Sequence, residues 1–364
     1  MTNAHKSTGA GAAAVFAAGY GTLALAWAVT GRGFPFGTTD DRGDSSPLRD
    51  LTPEAGAPLF AAVLLTTAIV ALILHGRARL PGPARAVTLG WICAVAAMLA
   101  VVVPDTRVLT LAGYLPILII GFPFGYPPVD YGSVFDWTLL NQMLCLAGGL
   151  LLARAALRWQ FGSHGACLRC GRGDRTAHWA TPAGAARWGR WATGVAAAVP
   201  ASYAVIRLAW AAGIPLGIPP DFLDEMHRTG LVWSGAGLGA FALAGAVLTL
   251  GLHQRWGEVF PRWMIGLAGR PVPIRLATVP ATLVAVFVGS ASVGFFTSDG
   301  FWTAFTGSPS LATLPMAVWP LWSVALGAAT LAYHLRRRGA CPYCGRGGGN
   351  PDQGVVQPES ADAY

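Results

Sequence analysis

The sequence predicts an all-α integral membrane protein of eight transmembrane helices, arranged as two parallel four-helix repeats that each end in a cytosolic C-x-x-C-G knuckle. Three observations carry this expectation. Of 364 residues, 54% are hydrophobic and 12% are charged, about half the roughly 25% charged share of a soluble domain. Eight apolar runs approach the ~20 residues that a bilayer crossing needs. The motif C-x-x-C-G-R-G occurs twice, at 167–173 and 341–347, each time behind an apolar run ending in arginines and directly after Gly-Ala.

Residues 1–10 are polar and weakly basic and are expected on the cytosolic side. The first run, 11–29, contains Ala26-Trp27-Ala28, which resembles the cleavage site of a signal peptide. The pattern Tyr20…Leu25-Ala26-Trp27-Ala28 returns as Tyr203…Leu208-Ala209-Trp210-Ala211 deep in the chain, so the run reads as a retained span. A loop over 31–56, carrying Asp40, Asp41, Asp44, Asp50 and Glu54, leads to the second run, 58–74, and its basic end at His75, Arg77 and Arg79. The third run covers 86–103. Val108–Ile120 is too short for ~30 Å of hydrocarbon at 1.5 Å per residue and is expected to be re-entrant or interfacial. A span over 137–155 then closes the first repeat, 11–170, at its knuckle.

Residues 171–190 form a basic connector. The second repeat, 191–347, holds runs at 191–213, 233–252, 274–296 and 311–335 and ends in Arg336-Arg337-Arg338 and the second knuckle. The composition of 348–364 is that of a disordered tail. Offsets between matching landmarks drift slowly: 183 for Tyr20 and Tyr203, 178 for His75 and His253, 174 for Cys167 and Cys341. Loop insertions in a tandem duplication produce such a drift. Four spans per repeat make the repeats parallel.

Charge sets the expected orientation. The side holding the knuckles carries Lys6 and 18 arginines, against Asp174 and Glu258 before the tail; the other side carries 12 acids and five arginines. The positive-inside rule places the arginine side in the cytoplasm, and so predicts a multi-pass plasma-membrane protein with both ends of the chain inside. Lys6 is the only lysine. With the excess of Ala and Gly, this reads as the codon bias of a high-GC genome, so the arginines are not a nucleic-acid signal and no nucleic-acid partner is expected.

The knuckles carry the strongest chemistry. Cys167, Cys170, Cys341 and Cys344 supply four thiolates, a full shell for one structural Zn²⁺ clipping the two repeats together. A redox dithiol pair and cysteines without a role are the competing readings. The cytosol is reducing, which disfavours stable disulfides. Cys93 and Cys145 stand alone in apolar runs and read as packing residues.

Arg207 is the clear charge inside a span and is a functional candidate by default. Snorkelling to the interface is the plainer account; Asp221, Asp224 or Glu225 would be its partner if the following loop folds back. The motif Gly-x-Pro-x-Gly occurs at 33–37, 121–125 and 213–217. It reads as a helix stop at the surface, or as an outer vestibule lined by Phe122, Phe124, Tyr126 and Tyr131. Arg207, Asp221, Asp224 and Tyr126 are therefore the candidate substrate-binding residues. Asp221, Asp224 and His227 also allow a weak metal site, although the acidic first turn of a helix accounts for them. Asn141 and Gln142 read as interhelical hydrogen bonds, and Gly235, Gly237 and Gly239 as a close-packing face. No Walker loop, H-E-x-x-H or G-x-S-x-G in a soluble context is present, and no enzymatic activity is expected.

Residues 254–263 (QRWGEVFPRW), with 212–218 and Trp319-Pro320-Leu321-Trp322, resemble a stretch shared by uncharacterised multi-pass membrane proteins of high-GC bacteria. The resemblance covers mostly the second half and implies a polytopic membrane protein without a defined activity. The expected function is permease-like transport of a small molecule. The alternative is a scaffold, or a thiol or zinc sensor, whose cytosolic face docks a protein partner.

Overall fold

The computed structural model describes residues 8–76, 80–124, 130–173, 177–298, 300–303 and 314–347. Among these the chain is helical throughout, apart from turns and one isolated bridge between Val259 and Pro271. The principal helices are α1 (Thr8–Thr30), α2 (Pro53–Gly76), α3 (Gly82–Ala97), α4 (Thr106–Gly121), α5 (Trp137–Ser163), α6 (Pro182–Ala211), α7 (Pro220–Thr229), α8 (Leu231–Leu250), α9 (Ile274–Thr297) and α10 (Trp319–Arg337).

Seven segments are long and apolar enough to cross a membrane: Gly11–Thr30, Pro53–Leu74, Gly82–Val102, Trp137–Ser163, Pro182–Ala211, Leu231–Leu250 and Ile274–Thr297. They match seven of the eight expected runs. The eighth, 311–335, begins outside the described residues and continues as α10. That helix carries His334, Arg336 and Arg337 in its last turn and is not among the seven. The segment expected to be re-entrant lies in α4, whose axis bends by 52° between Thr106–Leu115 and Leu118–Phe124. Pro116 stands at the break, where it has no N–H to give the helix. A bend of this kind marks a broken span, which would bring the number to eight, or a re-entrant loop.

In the first half α1 lies along α2, and α5 packs on both α1 and α3. In the second half α6 lies along α8, and α10 packs on both α6 and α9. The first core is aromatic: Phe16, Tyr20, Trp27, Phe34 and Phe60 form a chain of rings with adjacent centroids 5.7 to 6.1 Å apart, mostly edge to face as ring quadrupoles prefer. The second core is built from small residues around Tyr333, with Ala196, Ala285, Leu326 and Ala329. Helix backbones meet closely where side chains vanish. A Cβ on Gly149 would fall 2.7 Å from the carbonyl oxygen of Ala96, so α5 touches α3 backbone to backbone. Such small-residue contacts are the main source of helix association in lipid.

α9 joins the halves. It packs on α4 and on the π turn Met98–Val102 that ends α3. Val108, Leu139, Leu146 and Phe287 form the apolar seam, and Ser290 Oγ donates to the Pro104 carbonyl at 2.5 Å. The bundle thus has two distinguishable ends. At the knuckle end Arg85 Nη2 donates to Gln160 Oε1 at 2.8 Å, and the 251–273 loop is held by Tyr333, whose hydroxyl donates to the Gly257 carbonyl at 2.7 Å.

At the far end Trp137 Nε1 donates to the Gly33 carbonyl at 2.9 Å and Thr138 Oγ1 to the Pro35 carbonyl at 2.8 Å. The first Gly-x-Pro-x-Gly motif is therefore a plug for the first core: Phe34 and Phe36 are buried in it. Phe122 and Phe124 of the second motif are exposed. Tyr126, together with 1–7, 304–313 and 348–364, lies outside the described residues.

Candidate metal centre and charged sites

Each knuckle grows from the end of a helix and closes on itself in the same way. In the first, Cys167 N donates to the Arg172 carbonyl at 3.0 Å and Gly171 N to the Cys167 carbonyl at 2.8 Å. In the second, Cys341 N donates to the Arg346 carbonyl at 3.0 Å and Gly345 N to the Cys341 carbonyl at 2.8 Å. The turn needs a left-handed residue after the second cysteine, and Gly171 (φ 72°) and Gly345 (φ 69°) supply it.

The two turns face each other. The sulfurs of Cys167, Cys170, Cys341 and Cys344 all lie within 4.8 Å of one another, and Cys170 Sγ stands 3.7 Å from Cys344 Sγ. A tetrahedral Zn²⁺ with Zn–S near 2.3 Å requires sulfur separations of about 3.8 Å, so the donor set fits that ion in number, softness and spacing. All four are free thiols.

The turns also prepare the sulfurs electrically. Backbone N–H groups of Tyr343 and Cys344 point at Cys341 and hold its thiol down to about 6. Burial pushes Cys167 up, but the N–H groups of Cys170 and Arg169 outweigh it, and the thiol lies below its ordinary value. Burial, together with the neighbouring sulfurs, pushes Cys170 up to about 12. The sulfurs share charge as one set; a divalent cation at the centre would let all four be thiolates.

Arginines fasten one knuckle to the other. Arg172 donates from Nη1 to the carbonyls of Gly339 (2.8 Å) and Arg346 (2.9 Å), and from Nη2 to that of Arg338 (2.9 Å). Arg346 returns the contact, donating to the Arg172 carbonyl at 3.2 Å. Arg338 donates to the Cys170 carbonyl at 3.2 Å. Residues that orient metal ligands in this way typically contribute about ten- to hundredfold in metal affinity. Arg172→Ala is therefore expected to speed zinc loss to a chelator by about tenfold or more, whereas Arg169→Ala, at an exposed position, leaves it unchanged. A colorimetric chelator competition reads both; equal rates for the two variants would remove Arg172 from this role.

The other candidates separate. Asp221 and Asp224 are exposed on α7, and Glu225 pairs with Arg228. His227 bonds through Nε2 to the Trp210 carbonyl at 2.9 Å, so it does not join the acids in a metal site. Arg207 pairs with none of these acids. It lies over the rings of Tyr203 and Trp210 instead, at 5.1 and 4.7 Å from their centroids. Asn141 and Gln142 are buried and bridge elements as expected. Tyr20 Oη donates to Asn141 Oδ1 at 2.9 Å, and Gln142 Nε2 donates to Asp105 Oδ2 at 2.9 Å. Cys145 is in the core, whereas Cys93 is exposed on α3.

One charged cluster was not anticipated. At the far end Arg107 reaches Asp105 through Nε at 3.0 Å and Asp40 through Nη1 at 3.0 Å. Asp105 is fully buried and Asp40 nearly so. Asp136, which caps α5 by accepting from Leu139 N at 2.7 Å, pairs with Arg42 at the rim. The sequence signal was local: an Asp two residues before an Arg at the start of an apolar segment, the form of an N-cap. Asp105 does cap α4, accepting from Arg107 N at 2.9 Å.

Searched against family models, curated proteins and solved structures, the chain matches none.

Proposed function

We propose that the chain is a non-enzymatic, eight-span plasma-membrane protein whose two four-helix repeats are clamped at the cytosolic face by one structural zinc, and that the clamped assembly is a membrane scaffold or thiol- and zinc-responsive module for a cytosolic protein partner. The convergence of four sulfurs, two from each half, carries this reading. The matched helix pairings of the halves support the duplication: α1 with α2 and α5 in one, α6 with α8 and α10 in the other. Counting α10 and the seven apolar helices makes eight spans, with the arginine-rich knuckle end inside by the positive-inside rule.

Packing favours the scaffold over the permease. Glycines bring helices close together in both halves, Gly149 against the Ala96 backbone and Gly189 against the Ala332 methyl group. One observation keeps transport as a second reading: among the described residues Arg207, near the outer end of α6, lies over two rings and has no ion-pair partner.

Labelling with a membrane-impermeant maleimide tests the reading. The four knuckle thiols should resist until a chelator strips the metal, and should then react in inverted vesicles and not in right-side-out ones. Fast labelling without chelator removes the clamp. Labelling from outside reverses the orientation.

A further inference from the structure

Arg207 sits four residues before the end of α6, about 6 Å along the axis at helical rise. Tyr203 and Trp210, at i−4 and i+3, share its face of the helix. Both rings hold the guanidinium by cation–π contact, an interaction that strengthens away from water. The side-chain stem fills a groove in α8 that exists because two residues there lack side chains. A Cβ on Gly239 would lie 2.9 Å from Arg207 Cβ, and one on Gly235 would lie 3.6 Å from Cδ.

So the stem is packed and the cation is held, yet its donors are unused. Among the described residues, no acceptor lies within hydrogen-bond distance of the Arg207 guanidinium, and the Tyr203 hydroxyl has no partner either. Arg107, Arg172, Arg336 and Arg337 all donate to carboxylates or carbonyls. A fixed cation in a membrane-spanning segment with free donors calls for an anion.

The first half shows what the same frame does without the arginine. Tyr20, Ala24 and Trp27 repeat the spacing of Tyr203, Arg207 and Trp210. There the rings meet directly at 5.7 Å, Ala24 is fully buried, and the Tyr20 hydroxyl is satisfied by Asn141. With alanine the frame closes into core. With arginine it presents a planar fork beside a free hydroxyl at the edge of the bundle.

We infer that Arg207, with Tyr203 and Trp210, forms a binding site for a phosphate oxyanion at the seam of α6 and α8. Guanidinium donors match phosphate oxygens two at a time. The helix is 30 residues long, about 45 Å at helical rise against ~30 Å of hydrocarbon, which puts its last turns at headgroup level, so a phospholipid phosphate and a soluble phosphate compound share the chemistry the site reads. The site lies at the opposite end of the bundle from the cysteines, so its test and that of the zinc clamp fail independently.

The full chain in a neutral sugar detergent, titrated with phosphatidylglycerol and followed by native mass spectrometry, provides the test. The wild type should retain one lipid per chain through delipidation. Arg207→Met keeps the stem in the glycine groove and removes the fork, and should weaken retention at least about tenfold. Arg207→Lys should fall between, because a point charge replaces the fork. If excess inorganic phosphate leaves the lipid in place, the ligand is a headgroup; if it displaces the lipid, the site takes soluble phosphates. Equal retention by wild type and Arg207→Met overturns the site. Should Arg207→Met fail to fold, Arg207→Lys and Tyr203→Phe give the comparison, and wild-type retention in both overturns it.

Discussion

Cys341→Ser, purified in detergent beside the wild type, should carry no bound zinc and unfold at least about 10 °C lower, while the wild type carries about one zinc per chain. The size of the effect follows from where the ligands lie. Cys167 and Cys344 are 177 residues apart in sequence and a few ångströms apart in space. A cross-link closing a loop of that length removes about 5 kcal/mol of unfolded-chain entropy. For a chain of this size roughly 2 °C accompanies each kcal/mol. Serine keeps the volume and removes the soft ligand, so the loss reports coordination rather than packing.

Alternative results are equally informative. Wild-type protein without zinc, with thiols that cycle between free and disulfide, would discard the clamp and leave the redox dithiol reading. Zinc-free protein with inert thiols and an unchanged melting temperature in Cys341→Ser would leave the cysteines without a structural role. Cys93→Ser is the control: that thiol is remote from the centre and exposed on α3, and its loss should change neither metal content nor melting.

The four-cysteine cluster was legible because its signal is local and repeated. Two C-x-x-C turns followed by glycine give ligand type, ligand number and turn geometry within seven residues each. Most helices were legible for a similar reason, since length and apolarity are properties of one segment. Contacts between segments were harder to read. Acids of the 31–56 loop and Asp105 entered the sequence reading only as part of the charge balance of the far side, because nothing in sequence places Asp40 against Arg107, 67 residues on. Snorkelling was the plainer expectation for Arg207, with an acid of the following loop as partner only if that loop folded back. Its partners are rings at i−4 and i+3, a spacing visible in the sequence. The last span was the reverse case: 311–335 reads as one apolar run, but α10 starts at Trp319 and ends in basic residues that hold the 251–273 loop, Arg336 donating to the Leu252 carbonyl at 2.8 Å and Arg337 to that of Val272 at 2.9 Å.

Asp105→Ala should destabilise the protein by about 3–5 kcal/mol, the range for breaking a buried ion pair from one side. Its carboxylate accepts from Arg107 and Gln142 and caps α4. Alanine would leave a half-buried guanidinium with Asp40 and the more distant Asp136, Gln142 Nε2 without its acceptor, and α4 without its cap, which by itself contributes about 1 kcal/mol. Arg107→Met should be at least as damaging, because it leaves Asp40 and Asp105 facing each other. The double variant Asp105→Leu/Arg107→Met should recover part of the loss, since an apolar pair leaves no stranded charge. Thermal unfolding of the wild type, Asp105→Leu, Arg107→Met and the double variant closes the cycle; a single Asp105→Ala effect below about 1 kcal/mol would show that the cluster is merely surface charge. The cluster also fixes where the loss acts. Ser45 of the same loop bonds to Thr106 at 3.0 Å, and Arg49 donates to the Thr297 carbonyl at the end of α9 at 2.8 Å. Loosening Arg107 should therefore free the 37–52 loop from α9, and protease cleavage within that loop should accelerate in Asp105→Ala and not in Cys341→Ser. The two sites stand at opposite ends of α5, whose 27 residues span about 40 Å, so their effects on stability should add within about 0.5 kcal/mol. A strong departure from additivity would mean that α9 transmits strain from one end of the bundle to the other, and that the seam between the halves moves as a unit.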